Sequence, residues 1–106
     1  GLTEEQAKEA TDSADSASVL FRSLGKAHAS GEIAGCAKLI FDRDNGKVLG
    51  VHIIGPRATD IIGEACVALS GKHTIHELAD TIHAHPTFTE IMMETAKKGV
   101  GFPIHG

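Results

Sequence analysis

Residues 82–90 of this chain read Ile-His-Ala-His-Pro-Thr-Phe-Thr-Glu, and local rules constrain the backbone at almost every position of this stretch. Pro86 has no N–H to donate and disfavours helical backbone angles at the residue before it, so we expect His85 to be extended. Thr87-x-x-Glu90 has the pattern of a capping box, which predicts a helix over about residues 88–98 with Glu90 at its third position. The carboxylate of Glu90 should then point back toward His85.

This proximity has two interpretations. A histidine beside a carboxylate is a stronger base than a free one, because the negative charge favours the imidazolium. The pair His85 and Glu90 is therefore a candidate acid–base site. Alternatively, Glu90 only caps the helix and His85 is a loop residue without a chemical role. Spacing by itself leaves both interpretations open.

The composition indicates one small domain with a single modest core, and the helices and strands predicted below make its class α+β. The chain has 106 residues, of which 42% are apolar and 23% charged, a balance typical of soluble folded proteins. The net charge is −4 and no dense Lys/Arg block occurs, which argues against nucleic acid or an anionic membrane as partner. No apolar run approaches the roughly 20 residues that a membrane span requires, and the N-terminus lacks a signal-peptide pattern.

Cysteine usage points to a reducing compartment. Cys36 and Cys66 form no redox or metal-binding motif, and both lie in apolar runs. We therefore expect two buried free thiols and an intracellular location.

The first half of the chain predicts a helix followed by a hairpin. Thr3-x-x-Gln6 is a capping box for a short helix ending near Ala10. Residues 11–18 have the composition of a loop, so a strand is expected only over 18–21, with a helical turn or loop over 22–30. Two apolar runs then flank an Asn-Gly turn, a strong hairpin signal, and predict strands over 33–42 and 47–54. Strict alternation in the second strand places Leu49, Val51 and Ile53 on one face. Since both faces are apolar, we expect the sheet to be covered on both sides.

The second half predicts three helices. The first covers about residues 59–70, ends at Gly71, and includes Gly63, whose cost in helix propensity suggests close approach by a neighbouring backbone. Thr74-x-x-Glu77 caps a short helix through Asp80. The last helix is the one that follows His85. Residues 99–106 show no pattern and are expected to be disordered.

Seven histidines raise the question of a metal site, with His83, His85, His73 and His76 as the candidate cluster. On an extended segment His83 and His85 should project to the same face. No third or fourth ligand follows at a recognised spacing, so we expect no metal. Outside the motif, the histidines are interpreted as surface or half-buried residues without a role, namely His28, His52, His73, His76 and His105.

Several motifs agree in order and spacing with one known family. They are Gly-Leu-Thr-Glu-Glu-Gln-Ala at 1–7, Gly-Lys-Val-Leu-Gly-Val-His-Ile-Ile-Gly-Pro at 46–56, Ile-Ile-Gly-Glu-Ala at 61–65, and His-Ala-His-Pro-Thr-x-Thr-Glu at 83–90. Together they resemble the C-terminal interface domain of the dihydrolipoamide dehydrogenases, within the FAD-dependent pyridine nucleotide–disulfide oxidoreductases. The likeness extends to about Ala96. It implies an antiparallel sheet flanked by helices, dimerisation with two-fold symmetry, and a longer enzyme of which residues 1–106 form one interface domain preceded by a further strand.

The resemblance also implies roles for residues. In this family the histidine before the proline is the catalytic base and the glutamate five residues later orients it, which corresponds to His85 and Glu90. Each subunit lends this pair to the flavin and disulfide of the other. Pro86 would fix the angle of approach, so His85 and Pro86 are the residues expected near the flavin. His83 and Pro86 are the expected substrate-binding residues.

Cofactors and partners follow from the same resemblance. The full-length enzyme would use FAD and NAD to oxidise dihydrolipoyl groups on the lipoyl domains of 2-oxo-acid dehydrogenase complexes. It would act as a homodimer in the cytoplasm, or in the mitochondrial matrix of a eukaryote. The chain has no Gly-x-Gly-x-x-Gly after a strand and no Cys-x4-Cys, so the fragment by itself is expected to bind neither cofactor and to be inactive.

Two other interpretations remain open. The chain could be the interface domain of a related flavin disulfide reductase that acts on another thiol. It could also be a stand-alone dimerisation module in which His85 and Glu90 have no catalytic role.

Overall fold

Within the described part of the chain, three antiparallel strands form a sheet with helices on both faces, which confirms the predicted α+β class. The structure is a computed structural model and describes residues 1–24, 34–55 and 57–101. Its elements are helix α1 (Glu4–Ala10), strand β1 (Ala14–Leu20), a 3₁₀ turn (Phe21–Ser23), strands β2 (Cys36–Asp42) and β3 (Val48–Ile54), and helices α2 (Ala58–Ser70), α3 (Ile75–Asp80) and α4 (Glu90–Gly99). The predictions for residues 25–33 and 102–106 lie outside the described residues.

Strand β1 corrects the prediction of a loop over residues 11–18. It starts at Ala14 and pairs with β2 along its whole length, with Ala17 opposite Leu39. Its small polar residues have low strand propensity, but propensity is a weak guide where a partner strand supplies the hydrogen bonds. Ala17 and Val19 are buried on the side of the main core, which fixes the register.

A β-bulge corrects the alternation predicted for β3. Ile40 lies opposite Gly50, and Phe41 lies opposite Val48, so Leu49 is the extra residue. Val48 and Val51 consequently both face the main core, whereas Leu49 packs in a second cluster on the opposite face.

The two faces of the sheet are covered unequally. Helices α2 and α4 pack on one face and enclose the main core, while α1 covers part of the other. The predicted capping boxes of α1 and α3 both form, at Thr3 and Thr74, and α2 ends at Gly71 as expected. Among the described segments, each helix is too short or too polar to cross a lipid bilayer.

The expectations about Gly63 and about the two cysteines are wrong. Apart from its chain neighbours and the backbone of α2 itself, a side-chain carbon built on Gly63 would meet no described atom within 4 Å, so the backbone of no other described element approaches this glycine closely. Cys66 is exposed, and Cys36 is only half-buried, so neither thiol is fully buried. The apolar run around Cys66 is longer than the helical stripe that α2 buries, which consists of Ile61, Ala65 and Ala68.

Candidate functional site

The structure brings His85 and Glu90 together, as their spacing predicts. Nδ1 of His85 lies 3.1 Å from Oε1 and 3.0 Å from Oε2 of Glu90. The side chain of Glu90 is 6% exposed and that of His85 is 68% exposed. A carboxylate can only accept, so Nδ1 carries the proton and Nε2 of a neutral ring keeps its lone pair. The arrangement thus presents a base on the surface and supports it with a buried acid.

The start of α4 differs from the prediction. The helix begins at Glu90 rather than near residue 88, and Thr89, which precedes it, makes no side-chain cap bond to the described part of the helix. Oε1 of Glu90 still accepts the backbone N–H of Thr87 at 2.7 Å, which is one half of the predicted capping box. The hydroxyl of Thr87 instead donates to the carbonyl oxygen of Ala84 at 2.7 Å. Glu90 is therefore fixed by the turn that carries His85, although it is the first residue of the helix.

His83 lies in a different environment from His85, contrary to the expectation that both rings share one face. Its side chain is 7% exposed, and Nε2 lies 2.8 and 3.0 Å from the two carboxylate oxygens of Glu64 on α2. The motif thus contains two histidine–glutamate pairs that use different helices. Sequence reasoning did not assign a role to Glu64, because 19 residues separate it from His83 and no short-range rule connects them.

A shallow cleft of about 310 Å³ adjoins the first pair and includes Pro86. The peptide bond between His85 and Pro86 is cis. Phe88 contacts Phe21 edge-on, with ring centroids 6.2 Å apart, and the guanidinium of Arg57 lies 5.7 Å from the centre of the Phe88 ring. An aromatic ring and a guanidinium therefore line the same cleft as Pro86, the residue that the family resemblance implies would set the angle of approach of His85. No pattern in the sequence pointed to Arg57, since a single arginine before a helix is common.

The other described histidines do not join this site. His73 contacts Glu77 on α3 at 3.1 Å, with both side chains about half exposed, and Nε2 of His52 lies 3.0 Å from the carbonyl oxygen of Leu2. Within residues 1–24, 34–55 and 57–101, no three His, Cys, Asp or Glu side chains come together as metal ligands would.

The described residues do not fit a nucleotide cofactor. FAD and NAD are commonly held by a parallel βαβ unit whose glycine-rich turn approaches the pyrophosphate. The described sheet is antiparallel, and Gly50, which has no side chain, is closed off by the carbonyl oxygen of Leu2. The described part of the chain can thus offer side chains toward such a cofactor but has no cradle for it.

A comparison with known families identifies the family to which this fold belongs. Residues 1–96 match the model of the pyridine nucleotide-disulphide oxidoreductase dimerisation domain. The chain therefore belongs to this family, and the resemblance seen in the sequence is confirmed.

The curated relatives specify the kind of enzyme. The chain is 41% identical over 104 residues to dihydrolipoyl dehydrogenase from Synechocystis and 43% identical over 105 residues to dihydrolipoyl dehydrogenase from Bacillus subtilis. These matches cover 94% and 99% of the chain but 22% of each relative. The chain thus spans about a fifth of the length of the curated relatives it matches, and it is similar to the dimerisation domain of dihydrolipoyl dehydrogenase-type oxidoreductases.

Solved structures support the fold. LpdA from Mycobacterium tuberculosis matches with a TM-score of 0.79 at 25% identity, over 89% of this chain and 21% of that one. The HOCl-induced flavoprotein disulfide reductase RclA from Escherichia coli matches with a TM-score of 0.85 at 22% identity, over 92% and 22% of the two chains.

Proposed function

We propose that this chain is the dimerisation domain of a dihydrolipoyl dehydrogenase and that it supplies His85 as a general base to the active site of the partner subunit. The geometry of His85 and Glu90 carries this proposal. An exposed imidazole whose Nδ1 is held by a buried carboxylate is suited to accept a proton at Nε2 from a group that lies outside its own fold. The described part of this chain provides no cofactor cradle, so a reacting centre would have to come from elsewhere.

The proposed chemistry is the deprotonation of a dithiol. A dihydrolipoyl thiol reacts as the thiolate, and even the more acidic thiol of cysteine has an unperturbed pKa of about 8.5, so a base is needed at neutral pH. Nε2 of His85 takes the thiol proton, and the resulting thiolate attacks a disulfide of the partner subunit, forming a mixed disulfide and releasing the other sulfur as thiolate. Glu90 stabilises the imidazolium in the manner of the acid in a catalytic triad.

Pro86 and the cleft beside it are proposed to orient the substrate. The cleft combines the ring of Phe88 with the guanidinium of Arg57, next to the turn that presents His85. Such a surface can pack against the alkyl part of a lipoyl group. The flavin and NAD of the enzyme would be held by parts of the longer protein outside this chain, with His85 and Pro86 as the residues of this chain nearest to the flavin.

The proposed partners are a second copy of the enzyme and the lipoyl domains of 2-oxo-acid dehydrogenase complexes. The first follows from membership in a dimerisation-domain family. The second follows from the substrate of the relatives that are named dihydrolipoyl dehydrogenase.

Replacement of the base tests the chemical role. In a full-length dimer that carries this chain, His85→Gln should lower the turnover of dihydrolipoamide by about 10²-fold or more, the usual contribution of a general base. His73→Gln is the matched control, because His73 also pairs with a glutamate but lies about half exposed in the turn before helix α3. Turnover of the His85→Gln enzyme within about twofold of the wild type would exclude this mechanism.

Hybrid dimers test whether the base acts on the other subunit. One subunit carries His85→Gln, and the other carries serine in place of the cysteines of its active disulfide, so neither homodimer can turn over. If His85 serves the partner, the hybrid contains one site with an intact disulfide and an intact base, and about half of the wild-type activity should return. If His85 serves its own subunit, the hybrid has no complete site and should be inactive.

A further inference from the structure

The side chain of His83 links the segment that carries His85 to helix α2. Its ring is 7% exposed, although the neighbouring Ile82 is 94% exposed. Nε2 lies 2.8 and 3.0 Å from the two carboxylate oxygens of Glu64, and Nδ1 lies 3.0 Å from the carbonyl oxygen of Thr81. Both nitrogens of this ring are therefore engaged.

The two partners of His83 determine its protonation. The carbonyl oxygen of Thr81 can only accept, and so can the carboxylate of Glu64. Both contacts are hydrogen bonds only if both ring nitrogens carry a proton. With each nitrogen facing an acceptor, the ring of His83 has no nitrogen left to accept a proton from a substrate.

The contacts of the two histidines therefore suit them to different roles. His85 donates from Nδ1 and keeps a lone pair at Nε2, whereas His83 has none to offer. A buried ring whose two nitrogens are both in use also has no polar atom for a substrate. The contacts thus favour a structural interaction for His83 over the substrate contact that the family resemblance implies.

Anchors on two helices flank His85. On one side, the carboxylate of Glu64 holds His83 against α2. On the other side, Glu90 is the first residue of α4, and its carboxylate accepts hydrogen bonds from Nδ1 of His85 and from the backbone N–H of Thr87. The bond from the Thr87 hydroxyl to the carbonyl oxygen of Ala84 closes the turn between them. Only Ala84 separates His83 from His85, so a shift of the contact between Glu64 and His83 must also move His85.

We infer that Glu64 and His83 are positioning residues for His85, and that their contact fixes the place from which the base is presented to the partner subunit. This inference rests on the proposed role of His85. A pair that is mostly removed from water depends on both partners, because loss of one leaves the other charge without compensation. The segment would then lose its fixed position on α2, and the base would no longer meet the thiol at the required distance.

Glu64→Gln in the full-length dimer tests the inference. The variant keeps the size of the side chain but removes the negative charge, and kcat for dihydrolipoamide should fall by about 10- to 100-fold, as expected when a reacting group is displaced by about 1 Å. KM should stay within about twofold, because His83 does not contact the substrate. Glu77→Gln is the matched control. It removes the carboxylate that pairs with His73 on α3, where both side chains are about half exposed, and it should leave kcat unchanged.

A double variant separates positioning from general damage. If Glu64 acts through His85, adding Glu64→Gln to His85→Gln should cause no further loss of kcat. A further loss of the same size in the double variant, or an unchanged kcat in Glu64→Gln, would overturn the inference. The proposed function fails by a different result, namely normal turnover of His85→Gln.

A neutron structure of the wild-type dimer provides a test that does not depend on the folding of a variant. We expect deuterium on both ring nitrogens of His83 and on Nδ1 alone of His85. A neutral His83 ring would overturn the inference even if Glu64→Gln were too unstable to assay.

Discussion

Glu90 holds His85 with both oxygens of a carboxylate that is almost fully buried. Nδ1 of His85 lies 3.1 Å from Oε1 and 3.0 Å from Oε2, and Oε1 accepts the backbone N–H of Thr87 at 2.7 Å as well. The acid cannot rotate away without losing both donors. This contact therefore fixes the ring orientation and the tautomer of a histidine that is itself 68% exposed.

Replacement of the acid should change the tautomer of the base. In Glu90→Gln the new carbonyl oxygen can still accept from Thr87, but the new amide group donates toward Nδ1 of His85. The ring then carries its proton on Nε2 and can no longer accept one there. We expect the turnover of dihydrolipoamide in the full-length dimer to fall by about 10²-fold or more, as when the acid of a catalytic triad becomes an amide.

The control for this variant is Glu77→Gln, which makes the same chemical change beside His73 on the surface of α3. It should leave turnover within about twofold of the wild type. A Glu90→Gln enzyme with equally normal turnover would show that the tautomer of His85 does not limit the reaction.

Local rules predicted the contact of His85 with Glu90 and failed only in its details. Thr74-x-x-Glu77 forms both bonds of a capping box, whereas Thr87-x-x-Glu90 forms one. The difference is the hydroxyl of Thr87, which donates to the carbonyl oxygen of Ala84. That acceptor comes within reach only because the chain turns at Pro86, so the pattern of four residues could not reveal it.

The features that the sequence did not predict depend on pairs far apart in the chain. Strand β1 starts at Ala14 because β2 supplies its hydrogen bonds, and the bulge at Leu49 reverses which face that residue occupies. The pair of Glu64 and His83 spans 19 positions and joins a helix to a loop. Periodicity reports only which residues could be buried, and it misassigned Cys66 for this reason.

Gly63 offers a simple route to a more stable chain. A side-chain carbon at this position meets no described atom within 4 Å, and the residue is exposed within α2. Gly63→Ala should therefore raise the free energy of unfolding by about 0.5–1 kcal/mol, the difference in helix propensity between the two residues. Urea denaturation followed by far-UV circular dichroism measures the change.

Gly50→Ala is the contrasting variant. A side-chain carbon there would lie 2.0 Å from the carbonyl oxygen of Leu2, which is backbone and cannot move aside cheaply. We expect a loss of about 1–3 kcal/mol from this overpacking. A Gly63→Ala variant that is destabilised as well would contradict the prediction that this position of α2 has room for a methyl group.

Thr74, the N-cap of α3, should contribute more to the free energy of unfolding than Thr89, the residue before α4. Thr74 accepts the N–H of Glu77, and the Glu77 side chain accepts the N–H of Thr74, so Thr74→Ala should cost about 1 kcal/mol. Thr89 makes no such bond to the described part of α4, and Thr89→Ala should cost less than about 0.5 kcal/mol. Equal losses in urea denaturation would mean that the hydroxyl of Thr89, 3.0 Å from that of Thr87, stabilises the turn as strongly as a cap stabilises a helix.

The hydrogen bond between Ser13 and Asp42 should make the stability of the chain depend on pH. Oγ of the buried Ser13 donates to Oδ1 of Asp42 at 2.6 Å, and the backbone N–H of Asp44 donates to the same oxygen at 2.8 Å. These bonds, the first above all, hold the pKa of Asp42 below its ordinary value. Unfolding returns the pKa to that value, so the unfolded chain binds more protons as the pH falls, and stability decreases in acid.

Ser13→Ala should therefore destabilise the chain most near neutral pH, where Asp42 is ionised in both the folded and the unfolded state. The loss should shrink as the pH falls below about 4, the ordinary pKa of an aspartate, because protonation of the carboxyl weakens the bond that the variant lacks. The loss is measured as the free energy of unfolding in urea of Ser13→Ala against the wild type, at neutral pH and in acid below about pH 4. Ser70→Ala, at the exposed end of α2, is the serine control, and its effect should not depend on pH. A Ser13→Ala loss of the same size at both pH values would show that the Ser13 hydroxyl stabilises the β1–β2 pairing without acting through the charge of Asp42.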